Sequence, residues 1–473
     1  MEHRRPGPGP FACRRSAPGA RAARRRGGLA LVLMLAPAAA RGEWPLIWDF
    51  DGRSDTPTAA LLAPGGDLLV AVEAYVQGAT SPRAVLVRID PGGQVVWATA
   101  DPDLPAPSGL ALAGDGRALV IGRSGVSTLR ASSFTAAGAL EWSRTRGGLA
   151  PDLPGNGPAA QPVWDAAAGA WRIPAGLGGD FAVLSWTAAG DPLPDRIWSP
   201  PAGEATATAV APRPSGGLLV TGSVELTVPG WWTVALDDAG VEDWSRFEDG
   251  GTNAGIFSGA FPLVVDAQRV TVWADDETAC GLFSLRLWSL DAATGAPLWD
   301  ATWPEPGGCE YFIPDVVRLA GDRIVASGAT SFFAGPSNPD TAALSFEAAT
   351  GLPVWARNFH GDTSTIRADV TSFAGSALVA STLFPSPNPG PSWLWLSAWN
   401  REGVACGAPF ELLPARVAAS FTDAAGRWLV VGAASSLATA DDVVVQLVSD
   451  PCRALFADGF ESGDLGAWSS SVP

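Results

Sequence analysis

Leu287-Trp-Ser-Leu-Asp-Ala-Ala-Thr-Gly-Ala-Pro-Leu-Trp299 is the stretch whose reading settles how this chain folds. It reads as a strand, a tight turn on Asp291-Ala-Ala-Thr-Gly295, and a second strand with Trp four residues past the Gly. Gly tolerates positive φ at the end of such a turn, and an Asp at its start accepts backbone N–H groups. The phrase returns at Ser345-Phe-Glu-Ala-Ala-Thr-Gly-Leu-Pro-Val-Trp355. The same spacing joins Gly93 to Trp97, Gly138 to Trp142 and Gly240 to Trp244. A longer turn separates Gly190 from Trp198, and a seventh turn, Asn400-Arg-Glu-Gly403, runs into a strand carrying Cys406 where Trp is expected. A large flat Trp on an outer strand buries against the neighbouring unit and contributes about 2–3 kcal/mol by apolar area.

A second element recurs in step with the first. It is a hairpin with a Gly- or Asp-rich turn between apolar, β-branched runs. Copies lie at 61–70, 110–121, 210–220, 263–272, 317–325, 371–379 and 421–431, with a degraded eighth at 163–173. Hairpin plus closing turn makes a four-stranded unit of roughly 50 residues, the size of one propeller blade. The last hairpin and Val443-Val-Val-Gln-Leu-Val448 make three strands only, and the unpartnered strand Glu43-Trp-Pro-Leu-Ile-Trp-Asp-Phe50, with Trp48, supplies the fourth. Pairing the two ends closes the ring and leaves no open sheet edge. The fold expected is all-β, an eight-bladed β-propeller over 41–452 whose last blade is closed by the N-terminal strand. Seven blades is the runner-up, with 162–199 as an insertion. Helices have almost no support.

The Asp-x-x-Thr-Gly-x-x-x-Trp phrases at 291–299 and 347–355 resemble the quinoprotein-type, PQQ-like propeller repeat. The resemblance implies the propeller fold across 44–452. For function it implies one of two directions, a quinone-dependent dehydrogenase or a cofactor-free scaffold such as the outer-membrane assembly lipoprotein. The dehydrogenases carry adjacent cysteines beside the quinone, and this sequence has no vicinal Cys pair. The tail Leu455-Phe-Ala-Asp-Gly-Phe-Glu-Ser-Gly-Asp-Leu-Gly-Ala-Trp468 resembles a short signature at the C-terminus of assorted exported bacterial proteins.

Residues 1–40 read as a signal peptide. Eight Arg precede the short apolar run Leu29–Ala36, and Ala38-Ala-Ala40 offers the small residues of a cleavage site. The run is too short to span a bilayer, and no later stretch is long and apolar enough. The expected location is secreted or periplasmic, with 453–473 as a C-terminal tail. Without the leader, 23 Arg stand against 47 acids, a net charge of −24, and there is no Lys. Such a surface repels nucleic acid and anionic membrane. The absence of Lys among abundant Ala, Gly, Pro and Arg points to a GC-rich bacterial genome.

Four cysteines follow the leader: Cys280, Cys309, Cys406 and Cys452. An even number in an exported chain favours disulfides. Of the three pairings, Cys280–Cys309 and Cys406–Cys452 keep each pair within one blade or its neighbour. Zinc is the rival reading, but close Cys spacing is lacking and His360 is the only His past the leader. His360 follows an outer strand and reads as a surface or structural residue, so Ser-His-Asp and Cys-His mechanisms have little to stand on. Two acidic clusters are calcium candidates: Asp49, Asp51 and Asp55, and Asp275, Asp276 and Glu277. Oxygen ligands at alternate loop positions suit Ca²⁺, although neither cluster matches a full EF-hand loop, and a solvated acidic turn is the plainer reading. No cofactor is expected beyond calcium. The expected function is a monomeric, non-catalytic scaffold for a protein or glycan; the alternative is a glycosidase or lyase using carboxylates in the central channel.

Overall fold

The computed structural model describes residues 46–448 except 51–53, 76–80, 150–160, 200–202, 214–215, 226–229, 251–259, 265, 278–282, 304–310, 332–339, 360–362, 374–375, 386–392, 407–409, 412–414, 424–426 and 436–440. Every described element is a strand, and the strands form eight four-stranded antiparallel sheets in sequence order. These are eight blades of a propeller. Blade 1 is made of Asp55–Leu62, Leu68–Ala74, Arg83–Ile89 and Val95–Asp101. Six more follow in turn, ending with blade 7 at Thr363–Phe373, Ser376–Pro385, Trp393–Trp399 and Phe410–Glu411.

Blade 8 is the composite one. Ala415–Thr422, Trp428–Ser435 and Asp441–Val448 are joined by Leu46–Trp48, which pairs Leu46 with Val445, Ile47 with Val444 and Trp48 with Val443. The degraded unit at 163–173 forms a true hairpin, Val163–Asp165 with Ala170–Leu177, and belongs to a full blade 3. Eight blades therefore hold, and seven are excluded.

The second and third strands are the dry ones. Leu68–Ala74 and Arg83–Ile89 in blade 1, and Ala170–Leu177 and Asp180–Thr187 in blade 3, are buried along nearly their whole length. A strand covered on both faces reads as a continuous apolar run, which is why these segments lack alternation. The apolar clusters pack mostly between blades: Leu429, Val431 and Val445 of blade 8 join Val70, Val85 and Val87 of blade 1. Burial of one blade's face therefore requires its neighbour.

The fourth strands share one register irregularity. In blade 1 Ile89 faces Val95 and Arg88 faces Trp97, so Val96 is the extra residue. The same one-residue bulge precedes Trp142, Trp244, Trp299 and Trp355. A bulge increases local twist and re-aims the side chain that follows it.

Candidate functional site

Each closing turn is built by its first residue. Asp291 Oδ1 accepts the Thr294 N–H at 2.8 Å and its hydroxyl at 2.7 Å, and the Gly295 N–H reaches the Asp291 carbonyl at 2.9 Å. The Thr294 hydroxyl and N–H hold the Asp291 carboxyl below its usual range. Gly295 ends the turn at φ 68°.

The turn Gly also meets the previous blade. A Cβ on Gly190 would lie 2.6 Å from the Trp142 indole, one on Gly295 2.6 Å from Trp244, and one on Gly403 2.5 Å from Trp355. Trp97 lies against Gly138 and Trp299 against Gly351 in the same way. Four indoles also donate across the seam: Trp97 to the Ala136 carbonyl at 3.2 Å, Trp142 to Ala188 at 2.8 Å, Trp244 to Ala292 at 3.3 Å and Trp355 to Arg401 at 3.2 Å. Trp299 packs likewise with its N–H unpaired. The Gly is required twice over, by its backbone angle and by the ring pressed on it.

Two of the expected closing tryptophans do not hold that position. No longer turn follows Gly190: the fourth strand starts at Pro192, two residues on, as in blades 1, 2, 4, 5 and 6. Trp198 stands at the far end of that strand opposite Phe181, and packs in the blade 3–blade 4 core. The position four past Gly190 is Pro194, which has no indole to offer, and the guanidinium of Arg196 lies on Gly240 instead. Trp48 faces Val443 near the start of the third strand, and its ring lies 5.7 Å from that of Phe50, tilted by 39°. It is a core residue of the blade 8–blade 1 junction.

The first acidic cluster is brought together, with an addition. Asp49 and Asp55 stand with Asp442, their oxygens all within 4.8 Å of one another. Asp55 is 1% exposed, and its Oδ2 accepts the Phe50 N–H at 2.6 Å. This segment carries the chain from the fourth strand of blade 8 into the first of blade 1, while Asp442 lies on the strand that Trp48 pairs beside. Asp442 comes from the other end of the sequence, and no local motif marks it. Asp51 lies outside the described residues. Three carboxylates are a hard oxygen set of the kind that suits Ca²⁺.

The second cluster is a strand, not a loop. Asp275, Asp276 and Glu277 end the strand Arg269–Glu277. Neighbours on a strand point to opposite faces, so Asp275 and Asp276 do not converge on one ion. Asp275 is buried, and that burial, helped by the charge of Asp276, pushes its carboxyl up to about 7. Among the described residues Asp49, Asp55 and Asp442 are the one set of three near enough to share a metal.

Sequence reasoning missed a charged knot at the blade 1–blade 2 seam. Asp101 is fully buried at the end of blade 1. It accepts the Ser132 hydroxyl, the Asp103 N–H at 3.0 Å and Arg130 Nε at 3.2 Å, while Ser132 meets Ser143 at 2.8 Å. Burial alone would raise the carboxyl, but the Ser132, Asp103 and Arg130 bonds together bring it below its usual range. A cleft of about 460 Å³ opens at the blade 8–blade 1 seam, walled by Leu62, Leu68, Leu429 and Leu447 with Asp90 and the Asp423–Arg427 ion pair (2.6 Å). Cys406 is buried in the cluster that holds Leu394, Leu396 and Trp428. Cys280, Cys309, Cys452 and His360 lie outside the described residues. Among the described residues no helix is long and apolar enough to cross a membrane.

Residues 196–384 match the family model of the outer membrane protein assembly factor BamB, a PQQ-like repeat model. No curated protein matches the chain in sequence. Among solved structures it is similar to the quinohemoprotein alcohol dehydrogenase of Comamonas testosteroni. Identity there is 14% over 85% of this chain and 76% of that one, with a TM-score of 0.50. The quinohemoprotein alcohol dehydrogenase ADHIIG of Pseudomonas putida HK5 is 11% identical over 84% and 75%, with a TM-score of 0.46. The β-propeller domain of the Trilobed protease of Pyrococcus furiosus is 9% identical over 72% and 94%, with a TM-score of 0.39. Residues 196–384 match a PQQ-like repeat model in sequence, and they lie within an eight-bladed β-propeller.

Proposed function

We propose that the chain is an exported propeller that binds a protein or a glycan without transforming it. The observation that carries this reading is the match of residues 196–384 to the model of an outer membrane protein assembly factor. The loop arrangement agrees with it. In blades 1–6 the third and fourth strands are joined by turns of only a few residues, which leaves recognition to the other connections of the ring. Loops on a rigid scaffold are the usual carriers of recognition. Soluble glycans and peptides from outer-membrane strands are expected to raise the melting temperature with no turnover. Turnover of any of them, abolished by a single Asp→Asn change, overturns the scaffold reading.

Asp275 favours the second reading, a carboxylate-dependent hydrolase or lyase. A carboxyl raised to about 7 by burial has the range of a general acid near neutral pH. On that reading Asp275→Asn removes activity that the wild type shows on a glycan panel.

The calcium reading rests on Asp49, Asp55 and Asp442, as a latch between the closing strand and the last blade. Addition of Ca²⁺ after chelation is expected to raise the melting temperature of the wild type and leave Asp442→Asn unmoved. An equal rise in both sinks the latch.

A further inference from the structure

In blades 1, 2 and 6 the residue six past the turn Gly carries a side chain that reaches the next blade. Thr99 donates to the Gly138 carbonyl at 2.6 Å, Arg144 to Gly190 at 3.0 Å and Arg357 to Gly403 at 2.7 Å. In the second of these the guanidinium also lies over the Trp142 ring, 5.9 Å from its centre. Arg196 is the equivalent residue of blade 3, six past Gly190.

Its surroundings differ in one respect, and that difference frees it. Pro194 replaces the indole, so the Arg196 guanidinium drops into the slot over Gly240. There it makes no hydrogen bond or ion pair among the described residues. The acids nearby are engaged elsewhere. Asp165 takes Arg172 through Nε at 3.1 Å and Nη2 at 3.0 Å, and Asp237 Oδ1 accepts the Val241 N–H at 2.7 Å. Burial, and then the neighbouring charge of Arg172, hold Arg196 below the usual guanidinium range. The slot borders solvent, because Pro194, Asp238 and Ala239 are exposed and Val241 is 62% exposed.

A half-buried guanidinium with all its donors unused lacks an oxyanion partner. Its fork matches a carboxylate through two parallel N–H···O bonds, a geometry that an ammonium cannot reproduce. We propose that Arg196, in the seam between blades 3 and 4, is a binding site for a carboxylate-bearing ligand. Two sources share that chemistry: a small free acid and the C-terminus of a peptide. The site is independent of the scaffold reading, since it requires only that the seam admit a carboxylate.

The test follows the Arg196 Nε–Hε resonance of the full mature chain during titration. The probes are sodium acetate, a tripeptide with a free C-terminus and its C-terminally amidated form, all at fixed ionic strength in chloride. Acetate or the free tripeptide is expected to shift the resonance saturably, with the amidated form inert. Arg196→Gln is expected to weaken binding, read as a melting-temperature shift, at least tenfold; Arg196→Lys is expected to weaken it by less. Response to acetate alone identifies a small acid as the source, and response to both identifies any accessible carboxylate. A resonance that neither carboxylate moves beyond the chloride control overturns the proposal, as does acetate stabilisation that survives in Arg196→Gln. If Arg196→Gln does not fold, the wild-type resonance still decides.

Discussion

The blade 2–blade 3 seam and the blade 3–blade 4 seam are built on the same backbone plan and filled differently. In the first, Trp142 lies flat on Gly190, its N–H reaches the Ala188 carbonyl, and Arg144 covers the ring and takes the Gly190 carbonyl. Every polar group named there has a partner, and the indole is 6% exposed. In the second, Pro194 stands where the strand would present its ring, and an arginine fills the gap without bonding. The register irregularity moves along the strand with it, to between Val183 and Ser185. One seam is a dry packing surface. The other is a cation held in a slot, and it has chemistry left over.

The comparison breaks first at the tryptophans. Trp142→Ala is expected to cost about 3–5 kcal/mol in equilibrium unfolding, the range for deletion of a buried aromatic. Arg196→Ala is expected to change stability by no more than about 1 kcal/mol, because a half-buried cation without a partner loses little when it is removed. Equal losses in the two variants would mean that the seams are energetically alike.

The turn glycines sharpen the same contrast. Gly351→Ala meets both a φ of 69° and the Trp299 ring and is expected to cost more than about 2 kcal/mol. Gly321 has φ 65° with nothing within 4 Å of its Cβ position, so Gly321→Ala is expected to cost only about 1 kcal/mol. Matching melting temperatures for the two variants would show that the ring contact adds nothing to the backbone term.

Acid separates the seams by a different route. Asp101 is ionised more readily in the folded chain than in the unfolded one, so its contribution to stability is present above the unfolded carboxylate range and is lost as pH falls through and below it. Unfolding curves of wild type and Asp101→Asn are expected to differ at pH 7 and to draw together as pH falls below the unfolded carboxylate range. A gap that persists into acid would assign the loss to packing. The smallest effect concerns the indole N–H: Trp142→Phe is expected to cost about 1 kcal/mol more than Trp299→Phe, because only the first loses a bond to a carbonyl.

The blade count was readable because a repeat states its period eight times, and a single degraded copy at 163–173 is corrected by its neighbours. The position of Trp198 was not readable in that way. Counting from Gly190 to the next Trp mistakes the far end of a strand for its beginning, and the sign to the contrary was local: Pro194 stands at the Trp position in Asp191-Pro-Leu-Pro-Asp-Arg196. Asp49 and Asp55 could be grouped from their spacing, whereas Asp442 joins them only through the pairing of the first strand with the last. The Asp275 cluster reads differently once it is placed on a strand, because the pleat turns Asp276 to the face opposite Asp275.

Pairing Leu46 with Val445 brings together residues roughly 400 apart in the chain, and nearly all other strand pairs are between sequence neighbours. Seven blades can assemble as their residues are made, each from local hairpins, but the eighth has to wait for both ends. The earliest strand therefore stays without its partner until the latest is available, which makes ring closure the pairing with the greatest loop-closure cost in the fold. Before it, the blade 8–blade 1 faces and the free edge of Asp441–Val448 are open to other chains. After it, no described blade can leave without breaking a seam on each side.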